Sequence, residues 1–339
     1  MSFTVLIASY LEPEQVERIR QTLPGLRVLY DPELLYKPRY QADHIGPSDW
    51  SRTPEQEKKF LSWLAEADIM WDFDRRLTPR LTELAPRLKW IQATSSGIGD
   101  IVKKFGLDQS SITITNAAGI HAIPLAEHSL LSMLYFTKNV PFIRKEQAAH
   151  HWERYCSKEL RGSTLGVVGL GAVGREVARL AKANGLKVLG VKRNVDMDPA
   201  SLNVDELYPQ SSLSMVLPRC DFLVLICPHT PETEGMIGER ELALLPKGAV
   251  LINIARGAVV DEDALIASLQ SGHLAGAALD VARTEPLPAD SPLWSMENVL
   301  ITPHSASTVT QENQRLTDLF CENLQRFSEE RQLLNLFKA

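Results

Sequence analysis

Three ionisable residues stand just past apolar, β-prone runs in the C-terminal half of the chain. Arg256 follows Val250-Leu251-Ile252-Asn253-Ile254-Ala255. Glu285 lies a short loop beyond Ala277-Ala278-Leu279-Asp280-Val281, and His304 follows Val299-Leu300-Ile301-Thr302-Pro303. In a doubly wound parallel sheet, ligands bind outside the carboxyl ends of the strands, so these three side chains can converge on one crevice. Their chemistry suits the reduction of a 2-oxo acid. A guanidinium grips a carboxylate bidentately and polarises the carbonyl beside it. An imidazolium hands a proton to the carbonyl oxygen as hydride reaches the carbon. A carboxylate on the other ring nitrogen orients the histidine and favours its charged form. Singly, each residue has a plain structural reading: a surface arginine before a turn, one more loop charge, a hydrogen-bonded histidine ahead of a helix. Their joint placement at three strand ends is what points to chemistry.

A hydride donor has a candidate seat upstream. Residues 164 to 174 read Thr-Leu-Gly-Val-Val-Gly-Leu-Gly-Ala-Val-Gly, an apolar strand passing straight into G-x-G-x-x-G. Gly169 permits the tight turn, and Gly171 lets the backbone approach a pyrophosphate. Gly174 lets the next helix pack on its strand, and the N–H groups around Ala172 and Val173 face the anion. An ordinary βα turn is the alternative, but apolar residues at helical spacing (Val177, Ala178, Leu180, Ala181) and a closing Gly185 supply the context of a dinucleotide site. The next strand, Lys187 to Val191, ends in Lys192-Arg193-Asn194, where NAD-binding domains place an Asp or Glu on the ribose 2′-OH. Two cations suit a 2′-phosphate, so the sequence favours NADP(H), with NAD(H) as the alternative if Lys192 and Arg193 are merely a solvated tip.

These groups need a scaffold, and the chain supplies two. The first third carries strand signals at Val5–Ala8, Arg27–Tyr30, Ala67–Phe73, Leu88–Ala93 and Ile112–Asn116, with a helix over Glu14–Leu23. Between Asp31 and Lys59 runs a long polar, Pro-rich stretch ending in a helix from Pro54 to Leu64; it reads as a surface elaboration or a lid. Pro124 opens a helix over Leu125–Lys138, and another follows Pro141. Later strands are expected at Phe222–Ile226, Ala249–Ile254, Ala275–Leu279 and Val299–Thr302, with helices at Glu239–Leu244, Asp261–Ser271 and Thr310–Phe327. Asp261 reads as a helix cap. The fold class is therefore α/β, with two doubly wound parallel-sheet domains: a flavodoxin-like substrate domain and a Rossmann nucleotide-binding domain.

Composition narrows the partners. A net charge of −6 with no basic stripe argues against nucleic acid, and no apolar run is long enough to cross a bilayer. Ser2 to Ala8 reads as a first strand and not as a signal peptide. Cys156, Cys220, Cys227 and Cys321 are scattered, as expected of reduced thiols in a cytoplasmic protein. The eight histidines show no metal-ligand spacing, so no metal site is expected.

The glycine loop, Asn253-Ile254-Ala255-Arg256-Gly257 with Val260-Asp261, Leu279-Asp280-Val281 with Glu285-Pro286-Leu287, and Thr302-Pro303-His304 together resemble the D-isomer-specific 2-hydroxyacid dehydrogenase family, and NADPH-dependent glyoxylate/hydroxypyruvate reductase-like members in particular. The resemblance spans nearly the whole chain. It implies that Arg256, Glu285 and His304 are catalytic and that the backbone N–H groups of Thr94-Ser95-Ser96-Gly97-Ile98 hold the substrate carboxylate beside Arg256. It also implies that Asp280 and His304 lie near the nicotinamide and that Cys227, Pro228 and Thr233 border the adenosine half, with Ile254, Ala255 and Arg256 completing the cofactor site. It further implies a discontinuous substrate domain, residues 1–119 plus 308–339, a nucleotide domain at 120–307, and a homodimer formed through the nucleotide domain. Departures are Ser305-Ala306-Ser307 after His304, a loop at Ser96–Asp100 that is one residue longer than usual, and the missing acid after the second Rossmann strand.

Two other functions compete: an NAD-dependent dehydrogenase of a larger D-2-hydroxy acid, and a non-catalytic dinucleotide-sensing protein. His121, Trp152 and Tyr155 read as aromatics packed against the long helix, and Phe73-Asp74-Arg75 as a plain turn; both sets are also candidates to border a substrate.

Overall fold

The structure, a computed structural model, describes residues 3–337. It divides into two compact units, one running up to His121 and resuming at Thr308, the other spanning Ala122–Ser307.

The first unit is built on five parallel strands, β1 (Thr4–Ile7), β2 (Arg27–Leu29), β3 (Ile69–Trp71), β4 (Trp90–Gln92) and β5 (Thr113–Thr115), in the order β2-β1-β3-β4-β5. That is the flavodoxin-like order, with its switch point between β1 and β3. The central strands are buried on both faces, which explains their continuous apolar runs. Leu6, Met70 and Ile91 face Phe60 and Leu64 of the helix Pro54–Glu66 on one side. On the other, Trp71 and Trp90 meet Phe320 of the last helix, Glu312–Ser328, with ring centroids 5.3 and 5.2 Å apart. The chain thus returns to its first unit to complete that core.

Residues 31 to 53 are packed against this unit. Leu34, Leu35 and Tyr36 are buried. The buried Asp43 carboxylate accepts from the Arg39 side chain and from the N–H groups of Ile45 and Gly46. The Arg52 guanidinium lies 3.6 Å from the Phe60 ring centroid, pairs with Asp74 at 2.7 Å and donates to the Leu34 carbonyl. The stretch that read as an elaboration or a lid is tied down as an elaboration.

The second unit holds seven parallel strands, β6 (Thr164–Val168), β7 (Lys187–Lys192), β8 (Glu206–Pro209), β9 (Phe222–Leu225), β10 (Val250–Asn253), β11 (Gly276–Leu279) and β12 (Val299–Ile301). Their order is β12-β11-β10-β9-β6-β7-β8, the Rossmann arrangement with one further strand, and it switches between β6 and β9. Strand β8 is one that the sequence pattern does not announce. It is an edge strand, only half-buried, and Glu206 within it pairs with Lys187 and Arg219. The helix after the glycine loop begins at Ala172. Asp261 caps the helix Glu262–Gln270 by accepting from the N–H groups of Asp263 and Ala264. Among the described residues, no helix is long and apolar enough to cross a membrane, and no cluster of His, Cys, Asp and Glu is suited to a metal ion.

Candidate active site

The glycine loop has the geometry a dinucleotide requires. Gly169 adopts φ 104°, and a Cβ there would lie 2.7 Å from the backbone nitrogen of Cys227. At Gly174 a Cβ would fall 2.0 Å from the Gly169 carbonyl oxygen, so only glycine allows the helix Ala172–Ala183 to sit this close to β6. Gly171 is the opposite case, because a Cβ there would meet nothing within 4 Å. The helix starts at that open position without a side-chain cap, leaving the N–H groups of its first turn, at Ala172 and Val173, for an incoming anion. These residues fit a dinucleotide pyrophosphate.

Beyond β7, Lys192 approaches the Met197 sulfur at 3.4 Å, and neither Lys192 nor Arg193 makes an ion pair among the described residues. Asp198 caps the short turn Pro199–Leu202, and the end of β7 itself carries Lys192 and Arg193. Cys227 is buried at the end of β9, and burial pushes its thiol up to about 11. The Thr233 hydroxyl donates to the Pro228 carbonyl at 2.8 Å and accepts from the Thr230 N–H at 2.8 Å. It therefore shapes the turn that follows Cys227.

The three strand ends after β10, β11 and β12 are tied together by backbone. The Asn253 side chain spans the turn after β10, donating to the Arg256 carbonyl and accepting from the Ala255 N–H. Gly257 then passes so near the loop after β11 that a Cβ would lie 1.9 Å from the Ala282 carbonyl oxygen. This contact draws the Arg256 turn onto the loop carrying Glu285. Asp280, buried at the end of β11, organises the third turn: Oδ1 accepts from the Thr302 hydroxyl and from the N–H groups of Ser305 and Ala306. The His304 N–H donates to the Asp280 carbonyl at 2.8 Å, and His304 itself adopts φ 50°.

Held in this way, His304 Nδ1 lies 2.8 Å from Glu285 Oε2, and Nε2 makes no hydrogen bond among the described residues. The Glu285 hydrogen bond raises the His304 pKa above the ordinary histidine value, although burial and the charge of Arg256 oppose it. Burial works to raise the Glu285 pKa, but the His304 hydrogen bond, the His304 charge, the Ala282 N–H and the charge of Arg256 together outweigh it and hold the carboxyl below its usual value. Arg256 lies within electrostatic reach of both partners. The result is a histidine whose proton-carrying form is favoured, with one nitrogen oriented and the other open.

The first unit contributes a second cluster. Ser95, Ser96 and Gly97 are exposed in the loop after β4, and their backbone is tied back through its carbonyls. The Ala117 N–H donates to the Ser95 carbonyl and the Asn116 side chain to the Ser96 carbonyl. The N–H groups of Ser95, Ser96 and Gly97 make no hydrogen bond among the described residues, the condition for a backbone anion nest. His121 bridges Ser96 Oγ at 3.4 Å and Glu312 Oε1 at 3.2 Å, linking this loop to the start of the last helix.

Two weaker readings change. Trp152 is not a packing aromatic: it is 95% exposed, on a segment without regular secondary structure. Tyr155 does pack, with its ring centroid 5.0 Å from that of Phe142 and its hydroxyl donating to the Lys138 carbonyl. The turn after β3 is more than a plain turn. Asp74 is buried against Arg52 and accepts from the Arg76 and Leu77 N–H groups, whereas Asp72, Phe73 and Arg75 line a cavity. The strand expected to reach Phe73 ends at Trp71.

Comparison with known proteins agrees with this architecture. The family model for the NAD-binding domain of D-isomer specific 2-hydroxyacid dehydrogenases matches residues 130–306. A glyoxylate reductase of Korarchaeum cryptofilum is 34% identical over 295 residues, covering 84% of this chain and 87% of that protein. A D-3-phosphoglycerate dehydrogenase of Methanocaldococcus jannaschii is 31% identical over 273 residues, 80% of this chain; the match spans only 51% of that longer protein. A D-isomer specific 2-hydroxyacid dehydrogenase from Xanthobacter autotrophicus, solved with NADPH, superposes with a TM-score of 0.79 at 27% identity, covering 100% of this chain and 98% of that one. The chain belongs to the D-isomer specific 2-hydroxyacid dehydrogenase family.

Proposed function

We propose that the protein is a cytoplasmic NADPH-dependent reductase of small 2-oxo acids, of the glyoxylate/hydroxypyruvate type, yielding the D-2-hydroxy acid. The observation that carries this reading is the His304–Glu285 pair beside Arg256, with His304 Nε2 open. A bound nicotinamide cofactor supplies the hydride that reaches C2 of the acid. Arg256 takes the substrate carboxylate bidentately and polarises the adjacent carbonyl, and the family resemblance assigns the backbone of Ser95, Ser96 and Gly97 to carboxylate binding. His304 delivers its Nε2 proton to the carbonyl oxygen, and in the reverse direction the neutral imidazole takes it back. Glu285 holds Nδ1 and stabilises the imidazolium until the proton leaves. The residues in contact with cofactor are Gly169, Gly171, Ala172, Val173, Gly174, Lys192, Arg193, Cys227, Pro228, Thr233, Ile254, Ala255 and Asp280, together with Arg256 and His304. Following oxidation of NADPH and of NADH with a panel of 2-oxo acids tests the reading. Absence of turnover with either nucleotide would leave a dinucleotide-sensing protein.

The raised His304 pKa fixes a pH dependence. Reduction needs the protonated ring, so it is fast below the folded pKa and falls as pH rises through it; oxidation shows the mirror-image limb. Glu285→Gln removes the partner that raises this pKa, so the falling limb of reduction moves to lower pH in a kcat/KM profile. An unmoved limb would detach Glu285 from His304.

Lys192 and Arg193 at the end of β7 support the choice of NADPH. Lys192→Asp should weaken NADPH binding by roughly tenfold or more, through loss of one charge-assisted contact and gain of a like charge, while sparing NADH. Equal effects on both nucleotides would favour the second reading, an NAD-dependent dehydrogenase of a larger D-2-hydroxy acid, to which the likeness to D-3-phosphoglycerate dehydrogenase lends weight.

A homodimer formed through the nucleotide-binding unit is part of the same proposal. Ile123, Leu131, Ile143 and Trp152 are exposed within residues 122–155, an apolar display expected of a buried interface. Trp152→Glu should shift the protein to monomer in light scattering; an unchanged mass would place the contact elsewhere.

A further inference from the structure

Glu285 orients His304 from an exposed loop. Its side chain is 40% exposed, and the stretch from Ala282 to Pro286 has no regular secondary structure. An exposed pair of freely moving side chains is worth little, so the 2.8 Å contact between Glu285 Oε2 and His304 Nδ1 needs the loop beneath it held still. The backbone shows what holds it. The Ala282 N–H donates to Glu285 Oε1 at 3.3 Å, fixing the carboxylate to the start of its own loop. The next N–H, that of Arg283, donates to Glu262 Oε2 at 2.9 Å. The peptide between Ala282 and Arg283 is backed by Gly257, where a Cβ would lie 1.9 Å from the Ala282 carbonyl oxygen and 2.4 Å from the Arg283 nitrogen. One peptide is therefore clasped between the turn that carries Arg256 and the carboxylate of Glu262.

Glu262 is well placed for this. It is the first residue of the helix Glu262–Gln270, which Asp261 caps and which Leu265 and Leu269 bury in the core of the second unit. The crevice it shares with Asn253, Gly257 and Val281 is only about 10 Å³, room for a single water at most, which leaves no space for a ligand. Asp263 also reaches Arg283, at 2.8 Å from the guanidinium, but that pair is exposed on both sides and contributes little. We propose that Glu262 is a positioning residue of the reaction: by accepting from the Arg283 N–H it fixes the peptide from which Glu285 reaches His304. The inference rests on the reading of His304 as the proton carrier and deepens it. It extends the site by one link, from Glu262 through the Ala282–Arg283 peptide and Glu285 to His304, entirely within the second unit. The charged groups that act on His304 directly are Glu285, Arg256 and Asp280, whereas Glu262 acts through the backbone.

Titration of the His304 ring by NMR of the whole protein, with His304→Gln supplying the assignment, tests the proposal without calling on turnover. Glu262→Asp keeps the charge and shortens the reach by one carbon, whereas Glu262→Gln drops the charge and keeps an acceptor at full reach. The His304 midpoint should fall by about 0.5 to 1 pH unit in Glu262→Asp and in Glu262→Ala, part of the about one to two expected from losing the Glu285 bond outright. It should stay at the wild-type value in Glu262→Gln and in Arg283→Ala, which keeps the N–H. Combining Glu262→Asp with Glu285→Gln should add nothing to the fall seen with Glu285→Gln alone. The falling limb of kcat/KM for reduction should follow the same order, with NADPH affinity unchanged. A midpoint that holds in Glu262→Asp, or falls equally in Glu262→Gln, would overturn the assignment of Glu262 and leave the reductase reading standing. A midpoint that Glu285→Gln itself does not lower would instead bring down the pairing on which that reading depends.

Discussion

Replacing His304 with glutamine should lower kcat for 2-oxo acid reduction by about 10³ to 10⁴, near the upper end for loss of a positioned general acid. Glutamine keeps a polar side chain of similar reach but has no proton to give at neutral pH. The loss should fall on kcat and not on nucleotide affinity, because the glycine turn and the helix Ala172–Ala183 are formed independently of the His304 turn. The turn itself should survive, since its hydrogen bonds come from the backbone of His304, Ser305 and Ala306 and from the Thr302 hydroxyl. Fluorescence titration with NADPH, alongside steady-state rates, separates the two effects. Turnover within about tenfold of wild type would remove His304 from the chemical step.

Arg256→Ala should lower kcat/KM for 2-oxo acids by about 10² to 10³. A bidentate guanidinium–carboxylate contact is made in the ground state and strengthens as charge develops on the neighbouring carbonyl oxygen. KM should therefore rise and kcat should fall. A second signature comes from electrostatics, because Arg256 opposes protonation of His304. Its removal should move the falling limb of the pH profile to higher pH, opposite to the shift expected for Glu285→Gln. A variant with raised KM, unchanged kcat and an unmoved pH limb would reduce Arg256 to a binding contact remote from His304.

Much of this arrangement is legible in the residues, for physical reasons. A parallel strand buried on both faces must be continuously apolar, so β6, β9 and β10 stand out, and the residues just past each of them occupy a strand end facing ligand. Glycines at 169 and 174 are demanded by contacts at 2.7 and 2.0 Å, and such demands leave a fixed spacing in the chain. Other features leave no comparable trace. Strand β8 is a half-buried edge, so its residues need not alternate or be apolar. Asp72 interrupts the apolar run Ile69-Met70-Trp71 before Phe73, and its left-handed backbone ends the strand at Trp71, short of the Phe73 that the apolar pattern suggests. Residues 31 to 53 are polar and Pro-rich because their order comes from Asp43 and Arg52 as buried charges with partners, a stabilisation that hydrophobic periodicity does not register. Trp152 illustrates the converse: an aromatic ahead of Tyr155 suggests packing, while the folded chain leaves it bare.

The central claim is that this fold passes hydride to C2 of a 2-oxo acid while His304 supplies the proton. Single turnover with NADPH deuterated at the transferable position of C4, and hydroxypyruvate as acceptor, tests it most directly by ²H NMR and chiral analysis of the product. The account predicts one deuterium at C2 of D-glycerate. Deuterium remaining on the nucleotide, or appearing in the L-isomer, would contradict it.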